Sequence, residues 1–169
     1  MFFKIKRDIS MSFSGDSLIY AVHPRLLPVM LFRASSYLSK CPIPILSYVF
    51  YYSNLILFGL DISRKAKIGG GLMIHHPNGI VIGEDSVIGE NCIVHQGVLL
   101  GARGSGHQSG DPIVGDNVLL GSGAKLIGAI KIANYTKIGA NAVVLTDIDK
   151  SGSVVVGNPA KVVKIRVDV

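Results

Sequence analysis

An aliphatic residue recurs at every sixth position through most of residues 61–169, and this period constrains the fold more than any other feature. One inward-facing aliphatic residue per six, with a tight corner between, predicts short strands joined by turns. Three such strands would close one three-sided coil, and successive coils would stack as parallel strands. The predicted ladder consists of Ile62, Ile68, Ile74, Ile82, Ile88, Val94, Leu100, Val114, Leu120, Leu126, Ile132, Ile138, Val144 and Val156.

Two further positions of the repeat support this coil. Small residues that would fill the corners follow the ladder residue by four positions: Ala66, Ser86, Cys92, Ala124, Thr136, Ala142 and Ala160. Residues that tolerate a positive φ often precede them: Gly71, Asp85, Asn91, Asn117, Gly123 and Asn141. Helices are excluded here, because each glycine costs a helix about 1 kcal/mol. We therefore predict an all-β domain.

The first sixty residues have a different composition. They hold eleven of the twelve aromatic residues but two of the twenty glycines, so we predict a helical region at 1–60 and a repeat domain at 61–169. An amphipathic helix should begin near Pro24 or Pro28. Its apolar face would carry Leu27, Leu31, Ala34 and Leu38.

Residues 41–60 approach the length of a transmembrane helix, about 20 residues. Prolines at the start of this segment and several polar residues within it favour another location. We expect a helix that is buried against a partner subunit or lies on a membrane surface.

Charge and cysteine content exclude several classes of protein. The net charge of +6 suits an anionic ligand or surface, but the excess is too diffuse to indicate nucleic acid. Cys41 and Cys92 are too few for a disulfide scaffold and lack partners for a zinc site. The neighbouring His75 and His76 diverge and have no carboxylate or cysteine ligands beside them, so no metal is expected.

The repeat breaks twice, and breaks in a solenoid often form its binding face. Two extra residues enter between Ile74 and Ile82, in the segment IHHPNGIVIGE. About a dozen residues leave the coil in the loop at 102–112. These segments hold three of the five histidines, His75, His76 and His107.

The repeat resembles that of the left-handed parallel β-helix acyltransferases, which are usually trimers with active sites between neighbouring prisms. The segments DISRKAKIGGGLMIHHPNGIVIGE and GNPAKVV, and the loop after LLGA, are similar to serine acetyltransferases and their relatives over about residues 59–165. The resemblance implies a left-handed β-helix with acetyl-CoA as co-substrate and no permanently bound cofactor.

The same resemblance implies the catalytic residues. His76 matches the general base, which takes the proton from the acceptor hydroxyl as that oxygen attacks the thioester. Asp61, fifteen residues earlier, matches the aspartate that orients the base. If one coil has eighteen residues, Asp61 lies roughly one coil from the His76 corner. The carboxylate would fix the imidazole tautomer, and no acyl-enzyme is needed.

For acetyl-CoA, the resemblance points to small residues along the later coils, where an extended pantetheine arm can lie flat. The matching positions are Gly101, Ala102, Gly121, Ser122, Ala140, Gly157 and Lys161. A backbone N–H near Ala102 could stabilise the thioester oxyanion. Lys161 could meet a phosphate as a point charge. Small residues are also what this fold requires for packing.

The acceptor is expected to contact His75, His107 and Asp111. Serine acetyltransferases have an Asp-His pair at His75-His76 and an Arg-His pair at Gly110-Asp111, so the cation that would bind a carboxylate is missing. The short helical region and the HH turn resemble acetyltransferases of surface polysaccharides, of the colanic-acid and capsule types. We therefore expect a saccharide acceptor, with serine O-acetylation for cysteine biosynthesis as the alternative. A non-catalytic scaffold or a carbonic-anhydrase-like zinc enzyme is a third reading.

Assembly and location follow from the same features. Flat prism faces and the apolar segment near residues 45–60 predict a homotrimer or a dimer of trimers. No signal peptide is recognised, so a cytoplasmic enzyme is expected. The basic, aromatic N-terminal region could hold it at the inner membrane face.

Overall fold

The computed structural model describes residues 1–12, 23–42, 44–104 and 110–167. Three helices precede a run of short strands. The helices are α1 (Phe2–Ser12), α2 (Leu27–Leu38) and α3 (Pro44–Phe58). The strands are β1 (Leu60–Ile62), β2 (Lys67–Ile68), β3 (Met73–His75), β4 (Ile80–Ile82), β5 (Val87–Ile88), β6 (Ile93–His95), β7 (Leu99–Gly101), β8 (Ile113–Val114), β9 (Leu119–Leu120), β10 (Lys125–Ile127), β11 (Lys131–Ile132), β12 (Lys137–Ile138), β13 (Val143–Val144), β14 (Ser153–Gly157) and β15 (Ala160–Ile165).

The strands form the three faces of a prism. Sheet 1 has the order β1-β4-β7-β10-β13, sheet 2 the order β2-β5-β8-β11, and sheet 3 the order β3-β6-β9-β12-β14-β15. Successive strands along the chain enter sheets 1, 2 and 3 in turn, and neighbours pair in parallel. The last strand, β15, instead folds back antiparallel on β14. The predicted parallel β-helix is thereby confirmed.

The predicted ladder fills the interior of the prism. Thirteen of its fourteen residues, Ile62 to Val144, are at most 3% exposed. The prediction for Val156 is wrong, because Val155 is fully buried and Val156 is 39% exposed. The last coil is shorter by one residue, since Lys137 lies opposite Val154.

Most positive φ values fall in two of the three kinds of corner; among the described residues, the corner between sheets 1 and 2 has them only at Gly104 and Gly128. The corner before sheet 3 takes this conformation at Gly71, Asn91, Asn117, Tyr135 and Gly152. The corner before sheet 1 takes it at His76, Gly79, Gly97, Gly123 and Asn141. The prediction for Asp85 is wrong, because that residue lies in the third kind of corner, between sheets 1 and 2.

The helical region covers the open edge of the first coil. In α2 the buried residues include Val29 and Phe32, so the predicted apolar face at Leu27 and Leu31 is not the buried one. The buried pair Arg33–Asp8 explains the difference, with Nε 2.9 Å from Oδ2. Arg33 also donates to the Ile68 carbonyl at 2.8 Å, and Asp8 Oδ1 accepts the Leu72 N–H at 2.8 Å.

Helix α3 joins the helical region to the prism, and the change to strand falls at Gly59. Phe58 packs against the core, whereas Ile45 and Ile56 are 70% and 79% exposed. None of the helices formed by the described residues is long and apolar enough to cross a membrane. That a partner subunit or a membrane surface covers the exposed face of α3 stays a prediction.

Candidate active site

His76 lies in a lengthened corner between sheets 3 and 1. Leu60 pairs with Ile80, so the first coil has twenty residues, whereas Val81 pairs with Leu99 in a coil of eighteen. The extra length falls after β3, where His76 has a φ of 53°. The other corners of this column also take a left-handed conformation, at Gly97, Gly123 and Asn141, so the two extra residues are what distinguish the His76 corner.

Two further histidines lie beside this corner. His75 and His95 are paired across β3 and β6, with stacked rings whose centroids are 5.0 Å apart. The His76 ring lies 6.4 Å from that of His75. Burial lowers the pKa values of His75 and His95, and positive charge on neighbouring residues lowers them further. Both imidazoles therefore favour the neutral state near neutral pH.

Asp61 lies at the centre of β1, on the outer face of sheet 1, because Leu60 and Ile62 on either side point into the core. It accepts a hydrogen bond from the phenol of Tyr51, with 2.6 Å between Oη and Oδ1. Asp61 and His76 are separated by fifteen residues of a twenty-residue coil, somewhat less than the one coil expected. Asp61 lies in the first strand of this coil, and His76 lies in its last corner. Asp61 pairs with Val81, five residues beyond His76.

The residues expected to bind acetyl-CoA fall into separate groups on one protomer. Ser122 and Ala140 lie in the same column of corners as His76, where Gly123 donates to Gln96 and Asn141 donates to Ser122. Gly101 and Ala102 lie across sheet 1, where β7 ends and the loop begins. The fold of one chain therefore does not bring the loop start to His76.

The other expected contacts with acetyl-CoA lie in positions that packing partly explains. A Cβ on Gly121 would come within 2.7 Å of the Ile138 carbonyl, so the stacking of coils already requires glycine there. Gly157, with a φ of 100°, and Lys161 lie on exposed parts of β14 and β15, on either side of the cis peptide Asn158–Pro159.

Asp111 serves a structural role in the corner between sheets 1 and 2. Its Oδ2 accepts the backbone N–H of Asp85 at 2.9 Å. A later coil repeats this contact between Asp147 and the Lys131 N–H. The corner between sheets 2 and 3 has the same kind of contact, between Asp116 and the Glu90 N–H and between Asn134 and the Asp116 N–H. This contact engages the carboxylate that was expected to bind the acceptor. His107 lies outside the described residues.

Cys92 is not a reactive cysteine, and no metal site is found among the described residues. Cys92 is fully buried, and this burial raises its thiol pKa to about 11. Its sulfur donates to the Gly115 carbonyl at 3.2 Å, as expected of a corner-filling residue. Among the described residues, no group of three or more histidine, cysteine or acidic side chains could hold a metal ion.

Sequence reasoning missed Tyr51, because its contact joins a helix to a strand and follows neither period. His95 was also not among the expected site residues. The signal for His95 was present, since His75 and His95 stand twenty residues apart, one lengthened coil.

A three-sided parallel coil with an outward histidine at a lengthened corner is typical of hexapeptide-repeat transferases. Residues 111–146 match the family described as bacterial transferase hexapeptide (six repeats). Relatives cover a larger part of the chain. Serine acetyltransferase of Helicobacter pylori is 36% identical, over 86% of this chain and 84% of that protein. The chain belongs to the serine acetyltransferase family.

Other comparisons agree. Serine acetyltransferase of Synechococcus elongatus is 36% identical over 86% of this chain, which spans 61% of the length of that relative. The crystal structure of Neisseria gonorrhoeae serine acetyltransferase in complex with serine has a TM-score of 0.84 and 30% identity, covering 96% of this chain and 69% of that one. A serine acetyltransferase in complex with CoA has a TM-score of 0.82 and 31% identity, covering 95% and 68%.

These relatives contradict the expected saccharide acceptor. They are named serine acetyltransferases and match 86% of the chain, so the prediction of polysaccharide O-acetylation is wrong. The resemblance to capsule-type enzymes rested on the short helical region and the HH turn, and the named relatives do not support it. Nor do they support the expected position at the inner membrane face.

Proposed function

We propose that the chain transfers the acetyl group of acetyl-CoA to the hydroxyl of serine, with His76 as general base and Asp61 as the carboxylate that orients it. The observation that carries the proposal is His76 in its lengthened, left-handed corner, fifteen residues after the outward-facing Asp61. Relatives that bind serine and CoA according to their names support this choice of acceptor and donor.

The reaction is a direct transfer. The serine oxygen attacks the thioester carbonyl carbon while His76 takes the hydroxyl proton. The tetrahedral intermediate then collapses, the C–S bond breaks, and the sulfur of CoA receives a proton. The products are O-acetylserine and free CoA, which suits a role in cysteine biosynthesis. A serine hydroxyl is a poor nucleophile at neutral pH, so removal of its proton is the step that the base accelerates.

The site is proposed to form between copies of the chain. Gly101 and Ala102 lie across sheet 1 from His76 on one protomer, yet the reaction needs donor and base together. In a homotrimer, the loop start of one prism could face the His76 corner of its neighbour. The N–H near Ala102 would then stabilise the oxyanion, and the exposed Lys161 would meet CoA phosphate. A cytoplasmic location stays a prediction.

Release of free CoA thiol tests the proposal. Purified protein with acetyl-CoA should release thiol rapidly with L-serine and only slowly without an acceptor. Mass spectrometry should find one O-acetylserine for each thiol. A panel of sugars, supplied at the same concentrations, provides the comparison. Hydrolysis without acetylserine, or a sugar that outcompetes serine in kcat/KM, would contradict the proposal.

A further inference from the structure

A cavity lies between the helical region and the first coil, away from the His76 corner. It has a volume of about 430 Å³, within the range of sites that hold small ligands. Helices α1 and α2 form one side, and the chain from Arg64 to Ile68 forms the other. This cavity, here called the basic pocket, is lined by six cationic side chains and no carboxylate: Lys4, Arg33, Lys40, Arg64, Lys65 and Lys67.

Acidic residues neutralise only part of this charge. Arg33 is paired with the buried Asp8, and Lys65 is paired with Glu84 at 2.6 Å. The other four cations have no carboxylate partner among the described residues: Lys4, Lys40, Arg64 and Lys67. Several positive charges therefore share one concave surface without a counter-charge from the chain.

The contacts of Lys4 and Arg64 hold two of these charges in place. Lys4 Nζ donates to the Ile68 carbonyl at 2.7 Å. Arg64 lies over the ring of Tyr48, 3.7 Å from its centroid, and donates to Ser47 Oγ at 2.8 Å. The stacked guanidinium is fixed in one plane and keeps further N–H groups for an oxyanion.

The electrostatics of Lys4 agree with a missing anion. Burial lowers the pKa of Lys4, and the charges of Arg33 and Lys40 lower it further. A multiply charged anion in the pocket would offset this repulsion. Hydroxyl groups of Ser36 and Ser39 also line the pocket.

We propose that the basic pocket binds a small soluble molecule that carries phosphoryl groups. Phosphoryl oxygens offer several acceptors and up to two charges per group, which matches four uncompensated cations better than a single carboxylate does. The pocket shares no residue with those proposed to hold serine or acetyl-CoA. Binding at this pocket is therefore independent of the proposed reaction.

Isothermal titration with inorganic pyrophosphate tests this proposal without serine or acetyl-CoA. The double variant Lys40→Gln/Lys67→Gln removes two exposed charges that make no hydrogen bond with the described residues. The variant Lys131→Gln/Lys137→Gln removes the same charge from exposed positions on β11 and β12 and serves as the matched control. We expect at least tenfold weaker binding in the first variant and unchanged binding in the second.

Two outcomes would overturn the proposal: no pyrophosphate binding by the wild type, or equal losses in both double variants. Anionic vesicles of phosphatidylglycerol distinguish the source of the phosphoryl group. Binding to vesicles without binding to pyrophosphate would also contradict a soluble ligand. Thermal unfolding of both variants checks the fold, and Arg64→Gln provides a second test within the pocket.

Discussion

The phenol of Tyr51 on α3 donates a 2.6 Å hydrogen bond to Asp61 on the first strand of the prism. The helical region thereby supports the carboxylate proposed to orient His76. The pKa of Tyr51 is raised to about 12, mainly by this hydrogen bond to Asp61 and secondly by burial. The phenol therefore keeps its proton and remains a donor at neutral pH.

Tyr51→Phe should therefore lower kcat about fivefold, because a hydrogen bond to a carboxylate contributes on the order of 1 kcal/mol or more. The KM for acetyl-CoA should stay unchanged. Tyr52→Phe, on the next residue of the same helix, is the matched control and should behave as the wild type. In an Asp61→Asn background, Tyr51→Phe should have no further effect. Equal losses from Tyr51→Phe and Tyr52→Phe would contradict this role.

His76→Asn should reduce turnover at least about 100-fold, because the proposed base is lost. Asparagine tolerates the left-handed φ of 53°, so the corner should keep its shape. Thermal unfolding should differ little from the wild type, and acetyl-CoA should still bind by titration. Activity within a few-fold of the wild type would exclude His76 as the base.

Arg103→Gln should raise the KM for serine about tenfold. Arg103 is the one lysine or arginine at 102–112, is exposed at the loop start, and lines a cavity of about 310 Å³. It could hold the serine carboxylate that the missing Arg-His pair would otherwise bind. Arg103→Lys should be intermediate, because an ammonium lacks the bidentate fork. An unchanged KM for serine, or an equal effect in Lys131→Gln, would argue against this contact.

The two lowered histidine pKa values give stability a pH dependence. In the unfolded chain, His75 and His95 take up protons near pH 6.5, whereas in the folded protein their pKa values are lower. Protonation therefore favours the unfolded state, and the stability present above pH 6.5 is lost as the pH falls. The fall in Tm from pH 7.5 to pH 5.5 should be smaller in His95→Gln than in the wild type. Lys137→Gln should keep the wild-type slope. An unchanged slope in His95→Gln would refute this origin.

Two glycines that are proposed to bind acetyl-CoA, Gly101 and Gly121, differ in how much room each has for a side chain. A Cβ on Gly121 would meet the Ile138 carbonyl at 2.7 Å and the Ala140 nitrogen at 2.8 Å, whereas a Cβ on Gly101 meets nothing closer than 3.8 Å. Gly121→Ala should destabilise the fold by about 2 kcal/mol or more, measured by denaturant unfolding. Gly101→Ala is the control and should leave stability nearly unchanged. Equal stabilities would show that the coils can shift apart.

The interior of the prism was predictable because burial repeats with a short period, and thirteen ladder residues are buried as expected. The slip at Val156 was not predictable, since Val154, Val155 and Val156 form a run in which any register looks alike. The buried face of α2 was also missed, because the Arg33–Asp8 pair brings a charged side chain into the interior.

The candidate site was predictable only in part. The break in the repeat identified the His76 corner, but the Tyr51–Asp61 contact joins elements of different periods. The acceptor was predicted wrongly because the loop sequence shows that the Arg-His pair of serine acetyltransferases is missing, but does not show which residues replace it. Asp111 illustrates this, since its carboxylate serves the corner of the preceding coil.

The strands of this prism could in principle accept further strands at either end, because each terminal coil has free backbone groups along its edge. At one end, Arg33 and Asp8 occupy the Ile68 carbonyl and the Leu72 N–H. At the other, β15 turns back along β14 in the opposite direction. These two closures set the length of the stack and oppose end-to-end growth into fibres. A chain that lost either closure would present a template for polymerisation.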